Sequence, residues 1–329
     1  APVLKNENDV LLKIAAVGIC GSDIHYYTEG KIGDQVLTYP FAAGHELSAV
    51  VARVAPAVTS LKPGDRVAVE PAVSCGLCDQ CLRGRENTCR NLLFLGCPGE
   101  LAGCLSEFIV MPERNCVKIP SSMTMAQAAF AEPLSIAIYT LKYAENRTVD
   151  TCAVLGSGPI GLSVMLEARF KGVDKIYATD KIDSRLEAAK KAGAIWTGNP
   201  DKTDIVREIL RQEPEQLDCV IECCGQQEAI DQAIELLKPG GLLLMVGIPV
   251  EDRIGINISH ARRKEICIQN VRRQNHCLET AVNRIASAKI DIDFILTHNG
   301  QLDDAKKLYD IVADYRDGVL KAVIEVSER

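Results

Sequence analysis

Four cysteines of the chain are spaced closely enough to bind one metal ion. In "CGLCDQCLRGRENTC" they follow the pattern C-x2-C-x2-C-x7-C, as Cys75, Cys78, Cys81 and Cys89. Four thiolates at this spacing can surround zinc at about 2.3 Å, and such a closed set of sulfur ligands is typical of a structural site. Thiolates also suit iron, so an iron–sulfur cluster is the alternative interpretation.

A second set of potential metal ligands comes from three separate segments. These are Cys20 in "GICGSDIHYY", His45 and Glu46 in "GHE", and Glu132 in "AEP". One thiolate, one imidazole and one carboxylate form an open zinc site, which keeps a coordination position for water or substrate and makes an oxygen bound there more acidic. The glycines beside Cys20 predict that this segment is a bendable loop.

The segment "GSGPIG" predicts a binding site for a dinucleotide. Its glycines form the pattern G-x-G-x-x-G after the strand-like run "TCAVLG" and at the start of a helix. Gly156 permits a tight turn, Gly158 lets the pyrophosphate approach the backbone, and Gly161 lets helix and strand pack closely. Pro159 and Ile160 lie at the N-terminus of the helix, where N–H groups and a positive dipole favour phosphate.

An aspartate at the end of the next strand-like run favours NAD as the dinucleotide. Asp180 ends "KIYATD" about 20 residues after the motif, where a carboxylate accepts hydrogen bonds from the ribose hydroxyls. The same carboxylate would repel the 2′-phosphate of NADP. Lys181 and Arg185 follow closely and keep NADP open as the alternative.

The two halves of the chain have different patterns. Residues 10–120 contain short strand-like runs separated by Gly, Pro and charged turns, which predicts a β-rich, partly closed barrel. After Pro133 strands alternate with amphipathic stretches such as "SRLEAAKKAGA", "DIVREILRQ" and "QEAIDQAIELLKPGG", which predicts βαβ units on a parallel sheet. The strands expected there are "TCAVLG", "KIYATD", "LDCVIECC", "LLLMVG" and "ICIQNV".

Composition excludes two classes of partner. The chain has 329 residues, enough for about two domains, and 44 acidic residues against 37 Lys and Arg give a net charge of −7. That charge argues against binding nucleic acid or an anionic membrane. The longest apolar run, Leu242 to Val250, is far shorter than the roughly 20 residues of a transmembrane helix, and no secretory leader opens the sequence. We therefore expect a cytoplasmic protein.

The remaining cysteines lie in strand-like or hydrophobic surroundings. We expect them to be inert core residues in a reducing compartment. They are Cys97, Cys104, Cys116, Cys152, Cys219, Cys223, Cys224, Cys267 and Cys277.

Together these segments resemble the zinc-dependent medium-chain dehydrogenase/reductase superfamily. The resemblance rests on "GICGSDIHYY", "GHE", "LKPGDRVAVEP", the four-cysteine loop, "AEPLSIAIYTL" and "VLGSGPIG", and is closest to the polyol (sorbitol or L-iditol) dehydrogenase branch. It implies an α/β protein with a β-rich, GroES-like catalytic domain formed by residues 1–134 and 271–329. It also implies a doubly wound, Rossmann-type domain over residues 135–270 that binds NAD, and two zinc ions, one catalytic and one structural.

The resemblance further implies roles for single residues. Cys20, His45 and Glu46 match ligands of the catalytic zinc, while Glu132 matches a carboxylate that binds it directly or through water. Which carboxylate coordinates is therefore left open.

The proton path, the substrate pocket and the coenzyme site are implied in the same way. Ser22 matches the hydroxyl that takes the substrate proton, and His25 the histidine at the outer end of the relay. The positions that line the polyol pocket are Tyr26, Phe94, Glu132 and Arg272. The coenzyme positions are Gly156, Gly158, Pro159, Ile160, Gly161, Asp180, Lys181, Arg185, Val246, Gly247, Ile248, Asn270, Val271 and Arg272.

The expected activity is hydride transfer to NAD from a secondary alcohol of a polyol such as sorbitol, iditol, xylitol or galactitol, which gives a ketose. Arg273 replaces an aromatic residue common in animal sorbitol dehydrogenases, so the polyol itself is not specified. The alternatives are an L-threonine 3-dehydrogenase, a sugar or other alcohol dehydrogenase of the same family, or a non-catalytic NAD-binding relative. The resemblance also implies a homotetramer or dimer, and an N-terminal strand that is expected to be missing from this sequence.

Overall fold

The computed structural model describes residues 2–249, 251 and 253–326. Residue 1 and residues 327–329 of the predicted catalytic domain lie outside the described residues, as does Val250 of the apolar run. The chain divides into two compact units. One contains the residues up to Ser135 and those from Asn275 onwards, and the other is Ile136–Gln274.

The chain forms part of the first unit, then the second unit, and then the rest of the first unit. The first segment contains β1 (Asp9–Gly18), α1 (Gly21–Glu29), β2 (Lys31–Ile32), β3 (Gln35–Val36), β4 (Glu46–Val54), β5 (Arg66–Val69), β6 (Ala72–Val73), α2 (Asp79–Leu82), β7 (Leu93–Phe94), β8 (Phe108–Pro112) and β9 (Cys116–Lys118). Helix α3 (Met125–Lys142) begins in the first segment and ends in the second unit. The second unit contains β10 (Thr151–Leu155), α4 (Pro159–Phe170), β11 (Lys175–Thr179), α5 (Asp183–Lys191), β12 (Trp196–Gly198), α6 (Ile205–Gln212), β13 (Leu217–Glu222), α7 (Gln227–Leu236), β14 (Leu237–Met245), α8 (Ile258–Arg263) and β15 (Cys267–Asn270). The last segment contains α9 (Leu278–Ala286), β16 (Leu296–Gln301), α10 (Ala305–Ala313) and β17 (Lys321–Glu325).

The first unit is built on a seven-stranded sheet. Its strand order is β16-β17-β1-β4-β5-β9, and β8 also pairs with β1. The long β1 pairs antiparallel with β4, and this register places Gly18 opposite Glu46. Apolar side chains of β1 and β4, including Val10, Leu12 and Leu47, form the core of the unit. The predicted β-rich first half is therefore confirmed.

The second unit is built on a six-stranded parallel sheet, as predicted. Its order is β12-β11-β10-β13-β14-β15, which is 3-2-1-4-5-6 when strands are counted within the unit. This is the doubly wound order, whose switch point lies between the first and fourth strands. Ligands of such sheets bind outside the carboxyl ends of the strands at that point, and the segment "GSGPIG" follows β10 there. No helix among the described residues is long and apolar enough to cross a membrane.

The prediction of a bendable loop after Cys20 is wrong, because residues 21–29 form α1. Two caps explain the difference. At the N-terminus the backbone N–H of Cys20 donates to Asp23 Oδ2 at 3.0 Å, which satisfies a group that the helix leaves unpaired. At the C-terminus Gly30 adopts φ +70°, a left-handed conformation that favours glycine.

Two further elements differ from the sequence prediction. Helix α7 ends at Leu236, and the segment "LKPGG" belongs to β14, which begins at Leu237. Helix α9 was not predicted. Its buried residues Leu278, Ala281, Val282 and Ile285 follow helical spacing, so the amphipathic signal was present in the sequence.

A buried aspartate joins the starts of two central strands of the parallel sheet. Asp218 Oδ2 accepts hydrogen bonds from the backbone N–H groups of Asp150 (3.0 Å) and Thr151 (2.9 Å) and from Thr151 Oγ1 (2.9 Å), while Oδ1 accepts from Lys238 Nζ. Burial alone would raise the pKa of Asp218, but Lys238 and the donors of Thr151 and Asp150 outweigh it and lower the pKa.

We expect Asp218→Asn to lower the free energy of unfolding by about 2 kcal/mol at pH 7, because hydrogen bonds to a buried charge are lost. A carboxylate whose pKa is lower in the folded state stabilises the folded protein at pH values above its unfolded-state pKa of about 3.9. This stabilisation is lost as the pH falls through the folded-state pKa. Urea denaturation across pH 3 to 8 should show the gap to wild type closing below about pH 4. Asp174→Asn is the matched control, since Asp174 pairs with Arg169 at the surface; a gap as small as the control's would contradict the assignment.

Candidate active site and metal centres

The four cysteines of the first motif converge on one point. Their sulfur atoms all lie within 4.8 Å of one another. The distances between sulfurs are 3.4 Å for Cys75 and Cys89, 3.5 Å for Cys78 and Cys81, 3.9 Å for Cys78 and Cys89, and 4.0 Å for Cys75 and Cys81. A tetrahedral ion with bonds of about 2.3 Å separates its ligands by about 3.8 Å, so the set fits one zinc ion. A cluster of several irons would need wider spacing.

Backbone N–H groups support the thiolate form of this cluster. The N–H of Cys75 donates to Cys89 Sγ at 3.2 Å, and that of Asn91 donates to the same sulfur at 3.4 Å. The N–H groups of Leu77 and Cys78 lower the pKa of Cys75 to about 6. Burial raises the pKa of Cys81 to about 12, an effect that a bound cation would oppose.

Three residues of the second set also converge. The ligand atoms of Cys20, His45 and Glu46 lie within 4.8 Å of one another. Cys20 caps α1 just after β1, while His45 directly precedes β4 and Glu46 begins it, and β4 is the antiparallel neighbour of β1. The pairing of the two strands therefore brings the segments together. Gly18 is required here, because a Cβ at that position would lie 2.2 Å from Glu46 Oε2.

A buried aspartate that the sequence analysis missed orients this group. Asp23 is 1% exposed, and its carboxylate accepts hydrogen bonds from the N–H groups of Cys20 (3.0 Å) and Gly44 (3.1 Å). Its Oδ1 lies 3.6 Å from His45 Nδ1. Burial alone would lower the pKa of His45, but the Asp23 carboxylate and Cys20 together outweigh burial and raise it. With Nδ1 facing Asp23, the other ring nitrogen is the one available to a metal ion.

A buried lysine, also missed, pairs with Glu46. Lys321 is 3% exposed, and its Nζ donates to both carboxylate oxygens of Glu46, at 2.7 and 2.8 Å, and to the carbonyl of Ile19 at 3.0 Å. Burial would lower the pKa of Lys321, but Glu46, Cys20 and Glu132 together outweigh burial and raise it. A metal ion bound to Glu46 would therefore share this carboxylate with the ammonium group of Lys321.

Glu132 is buried in α3 but is not part of the group formed by Cys20, His45 and Glu46. Its charge contributes to the raised pKa values of Lys321 and Cys104, so it belongs to the same buried charged region. The structure thus brings together three of the four predicted ligands and places the fourth outside the group.

The predicted proton-transfer and pocket residues lie on three elements. Ser22 and His25 are half-buried and three residues apart on α1, so they share one face of the helix. Tyr26 follows on the same helix and is buried. Phe94 ends β7, and its ring centroid lies 5.2 Å from that of His45. Arg272 belongs to the second unit, where it is exposed just after β15.

The glycine-rich segment has the geometry of a dinucleotide loop. It follows β10 and runs into α4, whose first residue is Pro159 and second is Ile160. Gly156 has φ +100°, and a Cβ there would lie 3.0 Å from that of Cys224, while one on Gly161 would lie 1.9 Å from the carbonyl of Gly156. A Cβ on Gly158 would meet nothing closer than 3.6 Å, so the space above it is open to a ligand.

Asp180 lies beside this loop. Its carboxylate accepts hydrogen bonds from the N–H groups of Ser157 at 2.8 Å and Ile182 at 2.9 Å, and Arg185 Nη1 lies 3.9 Å away. Lys181 instead pairs with Asp201 at 3.2 Å and Glu228 at 3.7 Å. Two of the four predicted charged coenzyme residues, Asp180 and Arg185, therefore lie together, and Lys181 is directed to other partners.

The remaining coenzyme positions follow the next strands at the same edge of the sheet. Val246, Gly247 and Ile248 come directly after β14, while Asn270, Val271 and Arg272 lie at the end of β15 and just after it. Glu222 at the end of β13 was missed. Its Oε1 accepts from the N–H groups of Cys224 (2.6 Å) and Gly225 (2.5 Å), which fixes the turn beside the glycine-rich loop.

All 14 cysteines are free thiols. The expectation that the nine outside the two metal groups are core residues is wrong for Cys224 and Cys267, which are exposed. Cys224 lies in the turn after β13, and Cys267 begins the edge strand β15.

The sequence carried weak signals for the missed residues. Asp23 lies three residues after a helix N-cap, where a carboxylate can close a capping box. Lys321 is a lysine inside the apolar strand "LKAVIEV", and a buried lysine needs a paired anion. Neither signal showed which distant residue the side chain would contact.

Two protein-family models each match part of the chain. The alcohol dehydrogenase GroES-like domain matches residues 6–121, and the zinc-binding dehydrogenase family matches residues 159–287. The chain is also similar to sorbitol dehydrogenase of Bacillus subtilis strain 168, with 34% identity over 320 residues, 97% of this chain and 90% of that protein. D-xylulose reductase A of Aspergillus oryzae is 34% identical over 314 residues, 94% of this chain and 87% of that protein.

A solved structure has the same fold. A short chain alcohol dehydrogenase from Escherichia coli CFT073, complexed with NADH, superposes with a TM-score of 0.90 at 27% identity, and covers 98% of this chain and 94% of that one.

Proposed function

Because the chain belongs to the zinc-binding dehydrogenase family, in its polyol dehydrogenase branch, we propose that it oxidises a secondary alcohol of a polyol with NAD to give a ketose. Polyols of the sorbitol, iditol, xylitol or galactitol type are the substrates. The observation that carries the proposal is the convergence of Cys20, His45 and Glu46 on one point. A protein that only bound NAD would have no use for such a group.

The residues divide into two domains in this proposal. Residues 1–134 and 271–329 form the zinc-containing catalytic domain, and residues 135–270 form the NAD-binding domain. The compact units of the structure lie close to these limits, which supports the division.

Cys20 and His45 hold the catalytic zinc together with one carboxylate, Glu46 or Glu132. Asp23 keeps His45 in the orientation that presents its free ring nitrogen. Lys321 balances the charge of Glu46, so that this buried carboxylate is stable with or without a bond to the metal. Cys75, Cys78, Cys81 and Cys89 hold the structural zinc. When bound, the catalytic zinc would supply a Lewis acid at the substrate hydroxyl, and NAD would accept the hydride.

The chain itself supplies the proton path and the orientation of the substrate. Ser22 Oγ accepts the proton of the substrate hydroxyl and at the same time gives its own hydroxyl proton on towards His25, on the same face of α1, or towards the ribose of the coenzyme. Tyr26, Phe94 and Glu132 are the substrate positions of the first unit, and Arg272 is the substrate position assigned in the second unit. Hydrogen bonds from several of these to secondary hydroxyls would favour a polyhydroxylated substrate over ethanol.

The coenzyme site uses the loop after β10 and the ends of the neighbouring strands. Gly156, Gly158 and Gly161, with Pro159 and Ile160, receive the pyrophosphate, and Asp180 receives the adenosine ribose with Arg185 beside it. The other positions assigned to this site are Lys181, Val246, Gly247, Ile248, Asn270, Val271 and Arg272.

A substrate panel tests the proposed activity. NADH formation at 340 nm is followed with sorbitol, xylitol, iditol, galactitol, L-threonine, glucose and ethanol, with NAD and with NADP. We expect the highest kcat/KM with a polyol and NAD. Faster turnover of threonine or glucose would assign another member of the family, and absence of all turnover in a protein with two bound zinc ions would favour a non-catalytic relative.

We further propose that the protein works in the cytoplasm as a homotetramer or dimer. None of the 14 cysteines forms a disulfide, which suits a reducing compartment. Strand β15 is the edge of the six-stranded sheet, and its unpaired backbone groups could pair with the same strand of a second copy about a two-fold axis. Sedimentation equilibrium measures the mass in solution, and a monomer at micromolar concentration would contradict this assembly.

A further inference from the structure

A single buried residue holds two neighbouring loops of the second unit. Glu222 ends β13 and is 1% exposed. Its side-chain Oε1 accepts hydrogen bonds from the N–H groups of Cys224 and Gly225, in the turn that follows β13. Its backbone carbonyl accepts from the N–H groups of Val246 (2.9 Å) and Gly247 (3.0 Å), which follow β14. One residue thus binds backbone N–H groups of both loops.

Two glycines allow these loops to lie in direct contact. Gly225 has φ +68°, a left-handed conformation that favours glycine, and a Cβ there would overlap the carbonyl of Ile248. A Cβ on Gly247 would overlap the backbone nitrogen of Gly225 and lie 2.6 Å from Glu222 Oε2. The second carboxylate oxygen of Glu222 therefore faces the loop after β14. A displacement of this side chain would disturb both loops.

The charge of Glu222 is explained by the loops rather than by the core of the sheet. Burying a carboxylate costs free energy unless hydrogen bonds replace the lost hydration. The N–H groups of the turn after β13 supply those bonds, and hydrogen bonds to a charged acceptor are stronger than those to a neutral one. Ile221, the preceding residue, shows that an apolar side chain fills a buried position of β13 without this cost. The carboxylate therefore serves to fix the turn.

The two loops belong to one particular half of the parallel sheet. In the doubly wound order, β10 to β12 form one mononucleotide-binding half and β13 to β15 form the other. Asp180, proposed above to receive the adenosine ribose, follows β11 in the first half. The loops held by Glu222 follow β13 and β14, in the half that this division leaves for the nicotinamide mononucleotide. The turn after β13 also borders the glycine-rich loop, because a Cβ on Gly156 would lie 3.0 Å from that of Cys224.

We propose that Glu222 is a positioning residue for the coenzyme, which holds the loops after β13 and β14 in the arrangement that receives the nicotinamide half of NAD. The proposal rests on the NAD site proposed above. It gives the nicotinamide half a determinant separate from Asp180, which acts on the adenosine half. Loss of the Glu222 carboxylate should therefore weaken binding of the whole dinucleotide more than binding of its adenosine half alone.

The test compares two ligands of the zinc-loaded protein, NADH and AMP. The Kd for NADH is measured by its fluorescence and the Kd for AMP by titration calorimetry. We expect Glu222→Ala to raise the Kd for NADH about 10- to 100-fold, because the hydrogen bonds from Cys224 and Gly225 to a charged acceptor are lost. The Kd for AMP should change less than about threefold, since AMP occupies only the first half of the sheet.

Two further variants make the test specific. Glu222→Gln keeps a side-chain oxygen that can accept hydrogen bonds from the same two N–H groups, so it should restore most of the affinity for NADH. Glu215→Ala is the matched control, since it removes an exposed carboxylate just before the other end of β13. This control should bind both ligands as wild type does.

The outcomes separate this inference from the proposed function. A wild-type protein that does not bind NADH overturns the proposed coenzyme site and this inference with it. A wild-type protein that binds NADH, with the same Kd in Glu222→Ala and in the control, overturns this inference alone. Equal losses of affinity for NADH and AMP would mean that Glu222 only supports the fold of the unit. A Glu222→Gln variant as weak as Glu222→Ala would contradict the role given to the hydrogen bonds of the turn.

Discussion

Replacing Cys20 by alanine is expected to lower kcat/KM for the polyol at least about 10³-fold, equivalent to about 4 kcal/mol of transition-state stabilisation. The sulfur of Cys20 lies within 4.8 Å of the ligand atoms of His45 and Glu46, so its removal leaves two ligands, one of which is shared with Lys321. Such a pair would not retain zinc. The NAD site lies in the other unit, and the Kd for NAD should change less than about twofold.

Metal analysis and NAD titration check this prediction together. Wild type should contain two zinc ions per chain, and Cys20→Ala should contain one. Cys116→Ala is the matched control, because that half-buried thiol in β9 belongs to neither of the two groups of potential metal ligands. Retained activity in Cys20→Ala, or loss of both metal ions and of NAD binding, would contradict the assignment.

Replacing Cys78 by serine is expected to remove the other zinc ion and to destabilise the first unit. Cys78 Sγ lies 3.5 Å from that of Cys81 and 3.9 Å from that of Cys89, in a loop with little regular structure of its own. Binding of a structural zinc ion contributes on the order of 10 kcal/mol to folding of its loop. The variant would lose this contribution. We expect the unfolding temperature to fall by about 10 °C or more, since about 1 kcal/mol already shifts a domain by several degrees.

Calorimetry with and without a chelator measures this effect. Chelator should lower the unfolding temperature of wild type towards that of Cys78→Ser and lower that of the variant much less, because only the catalytic zinc is left to remove. Cys267→Ser, at an exposed thiol outside both metal groups, is the control. A variant that unfolds at the wild-type temperature would show that the sulfur cluster is not a stabilising metal site.

Local patterns in the sequence were enough to predict the parallel sheet and the four-cysteine centre. The ligands of that centre lie within 15 residues, so their spacing alone constrains their geometry. The glycine-rich loop was predictable for the same reason, since strand, turn and helix are consecutive.

Interactions between distant segments were not predictable in this way. The glycines around Cys20 favour a loop, yet a helix forms because Asp23 caps it and is itself held by the N–H of Gly44, 21 residues further along the chain. Lys321 is separated from Glu46 by 275 residues. Which anion would pair with that lysine depended on the order of β1, β4 and β17, and no short pattern encodes the order of strands in an antiparallel sheet.

The bond between Lys321 and Glu46 makes the proposed catalytic site depend on a segment far away in the sequence. A fragment of the first unit that contained Cys20, His45 and Glu46 but lacked β17 would contain the ligand atoms of that group without the cation that neutralises its acid. Because a buried carboxylate without its partner is strongly destabilising, such a fragment would not fold into a partly active catalytic domain.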